Sequence, residues 1–197
     1  MKRPATPATP TGARSLLPAI VLVLFAAPLA VAFWLYYGSS WRPSLRTNHG
    51  ALIQPVVVLP RLALPSGVEL RGKWSLVVIG TGESGCDADC RGTLVYARQT
   101  WLSLAQLTPR VQRVLLAGAD CCDAAYLQRE HAGLGVARAT ALDPAAAPLL
   151  WAFPEPHRGE IFVVDPLGNL MMRYDVRQDP KGLRTDLNKL LELSHIG

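Results

Sequence analysis

The sequence predicts an α/β domain with parallel strands joined by crossover helices, a closing β-hairpin and a last helix. One membrane-spanning helix precedes it. Three observations carry this reading. Ser15 to Trp41 contains no charged residue. The strand-like segments Trp74–Ile79 and Val111–Ala117 flank one amphipathic segment, as in a strand–helix–strand unit. Asp165-Pro166-Leu167-Gly168-Asn169 joins two further apolar segments as a tight turn.

The elements follow in order. Residues 1–15 are polar and basic, rich in Pro and Thr, and read as a cytoplasmic tail. Residues 16–37, LLPAIVLVLFAAPLAVAFWLYY, are long enough for a hydrocarbon core of about 30 Å. Phe33, Trp34, Tyr36 and Tyr37 form an interfacial aromatic belt, and Pro18 and Pro28 are tolerated in a membrane helix. Ala30-Val31-Ala32 also resembles a signal-peptide cleavage site, but the apolar run continues through Tyr37, which favours an anchor. Either reading exports the rest of the chain. Lys2, Arg3 and Arg14 favour an inside N-terminus. The expected location is a bacterial-type inner membrane, crossed once, with the folded domain in the periplasm.

Residues 38–60 read as a linker, and 61–197 as the folded domain. Arg61–Leu64 and Val68–Leu70 flank Pro65-Ser66-Gly67, a hairpin signal. Trp74–Ile79 is a buried strand closed by Gly80. A helix is expected from Gly92 to Leu107, with Leu94, Ala97, Trp101, Leu104 and Ala105 on one face. Val111–Ala117 is the second strand. Asp123–His131 and Ala145–Phe153 are expected helices, and Ile161–Val164 and Leu170–Tyr174 form the hairpin. Asp179-Pro180 supplies a cap and first-turn proline for a helix through Leu193. This order describes a thioredoxin-type sheet.

Composition excludes several classes. Half of the 197 residues are apolar and 18% are charged, which excludes disorder. The net charge is +5, but from Pro43 onward 16 basic residues face 15 acidic ones. That balance leaves no basic face for nucleic acid. Four cysteines are too few for a disulfide-rich scaffold and suit a redox or metal site. No G-x-S-x-G, P-loop or H-E-x-x-H pattern occurs. Trp74, Trp101 and Trp151 read as packing residues. His131 reads as a helix-end cap or dipole partner, His195 as part of a frayed terminus, and His49 has no strong context.

Cys86-Asp87-Ala88-Asp89-Cys90 lies between the first buried strand and its helix. Sites in open α/β sheets collect beyond the carboxyl ends of strands. A helix N-terminus lowers a thiol pKa, while Glu83, Asp87 and Asp89 oppose that effect. The two cysteines can form a disulfide or converge on a soft ion such as Cu(I) or Zn(II). Two unrelated buried cysteines are the plainer alternative. Cys121-Cys122 follows the neighbouring strand, so its loop is expected at the same sheet edge as a relay thiol or further ligand. Adjacent cysteines make a strained disulfide, so pairing with each other is the less expected arrangement. Inert burial is the alternative for these two.

From Gly72-Lys73-Trp74 through Cys86–Cys90, the sequence resembles the Sco/SenC family. The spacing from His157 to Asp165-Pro166-Leu167-Gly168 also resembles it, and the likeness covers residues 50–195. The resemblance implies a membrane-anchored thioredoxin fold and a role in cytochrome c oxidase assembly. It implies copper, as Cu(I) or Cu(II), held by Cys86, Cys90 and His157, with the copper-centre subunit of the oxidase as partner. It also admits thiol–disulfide reduction by the same cysteines. A lone histidine beside Pro154, Pro156 and Arg158 would otherwise read as a solvated loop residue. The chain departs from the family pattern in three places. Arg91 stands where proline follows the second cysteine, Gly80-Thr81-Gly82-Glu83-Ser84-Gly85 precedes the first, and Asp120-Cys121-Cys122-Asp123 replaces an acidic, proline-containing loop. These mark a divergent member. Gly159 aligns where thioredoxin-like reductases carry a cis-proline, which weighs against an ordinary disulfide oxidoreductase. That alternative, an exported thiol–disulfide oxidoreductase using Cys86 and Cys90 without copper, still stands. So does an anchored scaffold that has lost its chemistry.

Overall fold

The computed structural model describes residues 16–38, 47–61, 67–80, 86–118, 121–138, 146–154, 159–179 and 181–197. The chain divides into two units, Met1–Leu45 and Arg46–Gly197. In the first, α1 (Leu17–Tyr37) has 21 residues and rises about 30 Å. It is long and apolar enough to cross a membrane. The Phe33 and Tyr36 rings pack against Tyr37 at 4.5 and 4.7 Å between centroids. The Gly38 N–H donates to the Trp34 carbonyl at 2.7 Å and closes the last turn.

The second unit is a six-stranded mixed sheet in the order β1-β6-β5-β2-β3-β4. Its strands are β1 (Ala51–Val58), β2 (Trp74–Gly80), β3 (Val111–Ala117), β4 (Leu134–Arg138), β5 (Glu160–Val164) and β6 (Asn169–Asp175). Strands β2, β3 and β4 are parallel; β5 runs antiparallel to β2, β6 to β5, and β1 to β6. The helices are α2 (Ala88–Leu102), α3 (Ala124–Glu130), α4 (Ala147–Ala152) and α5 (Gly182–Leu193), with a 3-10 turn at Ala105–Arg110.

Both sheet faces are covered, which is why β2 reads as an almost unbroken apolar run. Leu76 and Val78 face a cluster with Leu94, Leu115, Leu187 and Leu191. The alternate residue Val77 joins Val114, Leu116, Leu149 and Phe162 on the opposite face. The predicted turn at Asp165 closes the β5–β6 hairpin. The Asp165 carboxylate accepts from the Leu167 and Asn169 N–H groups at 2.9 and 2.8 Å. Gly168 takes φ +88°, where a side chain would be strained.

Several expectations differ from the structure. The segment read as a linker, 38–60, contains β1, which pairs with β6 from Ala51↔Arg173 to Val58↔Asn169. Pro55 hid it. A proline removes a ladder donor and demotes a strand by sequence, yet an edge strand tolerates it. The register shift between Leu52 and Val57 brackets that residue. The expected hairpin strand Val68–Leu70 is not a strand, and residues 62–64 of its partner and 65–66 of the turn lie outside the described residues. Strand β4 was not expected: it is five residues long, contains Gly135, and among the described residues pairs only with β3. Helix α2 starts earlier than Gly92 and stops at Leu102, and Ala105 is exposed with φ +49°. Trp74 is buried, but Trp151 is 73% exposed, because the six-residue α4 turns Ala147 and Leu149 inward.

Two tethers hold the ends of the second unit. Arg110 donates to the carbonyls of Leu191, Ser194, Ile196 and Gly197, so the segment bearing His195 is tied down rather than frayed. At the start, the Asp186 carboxylate of α5 accepts from the His49 and Gly50 N–H groups and from the Tyr174 hydroxyl. The His49 ring also bonds this carboxylate, at 2.9 Å.

Candidate redox and metal site

The site forms where β2 and β3 end side by side. Their parallel register runs to Gly80↔Ala117, and the Gly118 N–H then donates to the Gly80 carbonyl at 3.0 Å. Both following loops therefore leave from one edge, as the sequence predicted. Cys86 immediately precedes the Asp87 N-cap of α2, and Cys90 lies in the first helical turn.

The Asp87 carboxylate accepts the Cys90 N–H at 2.9 Å. That bond explains an acid beside the thiols: it satisfies one of the helix's otherwise unpaired amides. It also starts α2 before Cys90. Asp87→Ala is expected to cost about 1 kcal/mol of stability in chemical denaturation. Arg91, at the position of the family's proline, lies exposed over the Tyr126 ring at 5.3 Å, a contact from α2 to α3.

Cys86 and Cys90 form a disulfide with Cα atoms 5.1 Å apart. Cys121 and Cys122 are bonded to each other, with Cα atoms 3.7 Å apart, which corrects the expectation that adjacent pairing is disfavoured. The tertiary structure supplies what spacing could not. Cys122 takes φ +73° in the left-handed region, and the Cys121 N–H donates to the Gly118 carbonyl at 3.2 Å. The pairs share one place. The sulfurs of Cys86, Cys121 and Cys122 all lie within 4.8 Å of one another. A Cβ on Gly80 would stand 3.3 Å from the Cys121 sulfur and 3.4 Å from the Cys90 sulfur. No local signal in the sequence marks Gly80 as the floor of both pairs.

His157 lies outside the described residues, as does Pro156. The following Gly159 takes φ +84° and opens β5. Because β5 runs antiparallel to β2, with Val77↔Phe162, its first residues lie at the cysteine end of the sheet. The other histidines stand elsewhere. His131 is the C-cap residue of α3, but burial lowers its pKa. That burial works against the charged ring a dipole partner needs. Its Nε2 lies 3.2 Å from the Tyr126 hydroxyl.

When reduced, this arrangement offers a CxxxC dithiol and a vicinal dithiol in one cluster. Thiolates are soft ligands suited to Cu(I) or Zn(II), and the same sulfurs can exchange disulfides.

A family model described as "Transmembrane-like, thioredoxin-like, C-terminal domain" matches residues 74–194. No curated protein matches the chain. Among solved structures, Bradyrhizobium japonicum ScoI with copper bound is 17% identical, with a TM-score of 0.45 over 61% of this chain and 86% of that one. A putative thioredoxin from Neisseria meningitidis is 15% identical, with a TM-score of 0.49 over 71% and 91%. A thiol:disulfide interchange protein from Bacteroides sp. is 13% identical, with a TM-score of 0.44 over 74% and 91%.

Proposed function

The chain belongs to the transmembrane-like, thioredoxin-like C-terminal domain family, and from that premise we propose that it is a membrane-anchored dithiol factor for assembly of cytochrome c oxidase. Its working pair is Cys86 and Cys90. Reduced, this pair and His157 take up Cu(I) as cargo for the oxidase's dinuclear copper centre, or the pair reduces the cysteines of that centre. The observation that carries the reading is a CxxxC pair held across the first turn of α2, at the carboxyl end of a thioredoxin-like sheet.

Two thiolates and an imidazole form a donor set that suits Cu(I) and leaves a position open for transfer. The spacing of His157 to the Asp165–Gly168 turn supports it as third ligand, and Gly159 opens β5 at the same sheet end. Helix α1 would hold the domain in one membrane with its partner, which raises effective concentration. The basic residues before α1 support an inside N-terminus, and paired cysteines suit an oxidising periplasm.

A second reading, thiol–disulfide exchange without copper, is favoured by the Cys121–Cys122 pair beside Cys86. Cu(I) competition against a chelator separates the two, using the full-length chain in detergent, reduced and anaerobic. One equivalent bound by wild type and released in His157→Ala supports the copper site. No binding, together with a readily cycled Cys86–Cys90 disulfide, moves the assignment to thiol exchange. Neither binding nor cycling leaves an anchored scaffold.

A further inference from the structure

We propose that Cys121–Cys122 is the second stage of an internal relay, exchanging two electrons with Cys86–Cys90 through a transient Cys86–Cys121 bond. The proposal rests on the Cys86/Cys90 pair being redox-active and does not depend on copper.

Three observations carry it. The Cys86 sulfur lies within 4.8 Å of both sulfurs of the second pair, so exchange needs only a small side-chain movement. Gly80 leaves bare backbone beneath both pairs, where a Cβ would crowd the Cys90 and Cys121 sulfurs. Burial is divided in the same way within each pair: Cys86 and Cys121 are 8% and 4% exposed, while Cys90 and Cys122 are half-buried. Each pair thus holds one buried and one half-buried cysteine, and the half-buried one is where a partner can reach it.

The step balances within the chain. An external protein dithiol first reduces Cys86–Cys90 and is itself oxidised to a disulfide. The Cys86 thiolate then attacks the Cys121 sulfur. A Cys86–Cys121 bond forms, the Cys121–Cys122 bond breaks, and Cys122 leaves as a thiolate on the solvent side. Solvation there stabilises the leaving group. The Cys90 thiolate attacks the Cys86 sulfur, restores Cys86–Cys90 and expels Cys121. The first pair has lost two electrons and two protons, and the second has gained them. A second partner reached through Cys122 would receive them, and the reverse order of partners drives the reverse transfer.

The test uses full-length Cys90→Ser in detergent, in which Cys86 is a free thiol facing an intact Cys121–Cys122 disulfide. N-ethylmaleimide is present throughout, and peptide mass spectrometry reads the products. The expected product carries maleimide on Cys122 and a Cys86–Cys121 cross-link, because alkylation of the freed thiol pulls exchange forward. Cys86→Ser/Cys90→Ser should show neither. Maleimide on Cys86, or no label, with Cys121–Cys122 intact overturns the relay. Cys90→Ala, at the same half-buried position, repeats the measurement with a different replacement. If wild type still cycles Cys86–Cys90 while both variants fail, the relay alone falls. If wild type does not cycle, the redox reading of the site falls with it.

Discussion

Cys86→Ser is expected to lower Cu(I) affinity by more than about 100-fold, since loss of an outer-shell partner alone costs about 10–100-fold. The same change should abolish two-electron cycling of the CxxxC pair. Cys86 is the sulfur on which both chemistries converge: it pairs with Cys90 and lies within 4.8 Å of Cys121 and Cys122. The substitution is close to isosteric, so the fold should survive, and an unchanged urea midpoint in the reduced state would confirm that. Chelator competition reads the first effect and thiol alkylation after stoichiometric reductant reads the second. Wild-type affinity retained in Cys86→Ser would sink the copper assignment, and retained cycling between Cys90 and a remaining cysteine would move the working pair.

Asp186→Ala is expected to destabilise the domain by roughly 3 kcal/mol, because it leaves buried donors without an acceptor. This carboxylate is 5% exposed and joins three elements: the chain entering β1 at His49 and Gly50, β6 through Tyr174, and α5. Its electrostatics also set a pH signature. Burial pushes the Asp186 carboxyl up, but hydrogen bonds from His49, Tyr174 and two backbone N–H groups outweigh it and hold it below the ordinary value. Its contribution is therefore present above the unfolded carboxylate pKa of about 4 and is lost as pH falls through the folded value. The hydrogen bond to Asp186 raises His49 above 6.5. That contribution is full below the unfolded value and is lost as pH rises through the folded one. Between about pH 5.5 and pH 8 the stability of wild type should fall relative to His49→Gln, while the lowered pKa of His131 acts in the opposite sense in both proteins. An equal slope in both proteins would remove His49 from the account.

Much of this architecture was legible in the chain. Strands β2, β3, β5 and β6 carry local signals, because covered sheet faces demand apolar runs and a tight hairpin demands Asp165 and Gly168. Strands β1 and β4 were not legible. Edge strands are paired on one side only, so they tolerate Pro55 and Gly135, the residues that sequence rules count against a strand. Trp151 failed for a related reason. A six-residue helix has too few turns to establish its buried face by periodicity.

The same division runs through the site. By itself, the sequence determined that a cysteine pair stands between a buried strand and its helix, and that an apolar segment long enough to cross a membrane lies near the N-terminus. These features depend on neighbours close in the chain, so local chemistry specifies them. Only the tertiary structure decided that Asp87 caps α2, that Cys121 bonds Cys122, that both approach Cys86, and that Gly80 lies beside a sulfur of each pair without a side chain. The approach of Cys121 and Cys122 to Cys86, and of Cys121 to Gly80, joins residues more than 30 positions apart, and the parallel pairing of β2 with β3 creates it. The His49–Asp186–Tyr174 cluster arises in the same way, from β1 docking beside β6, and no local pattern encodes a contact made across 137 residues.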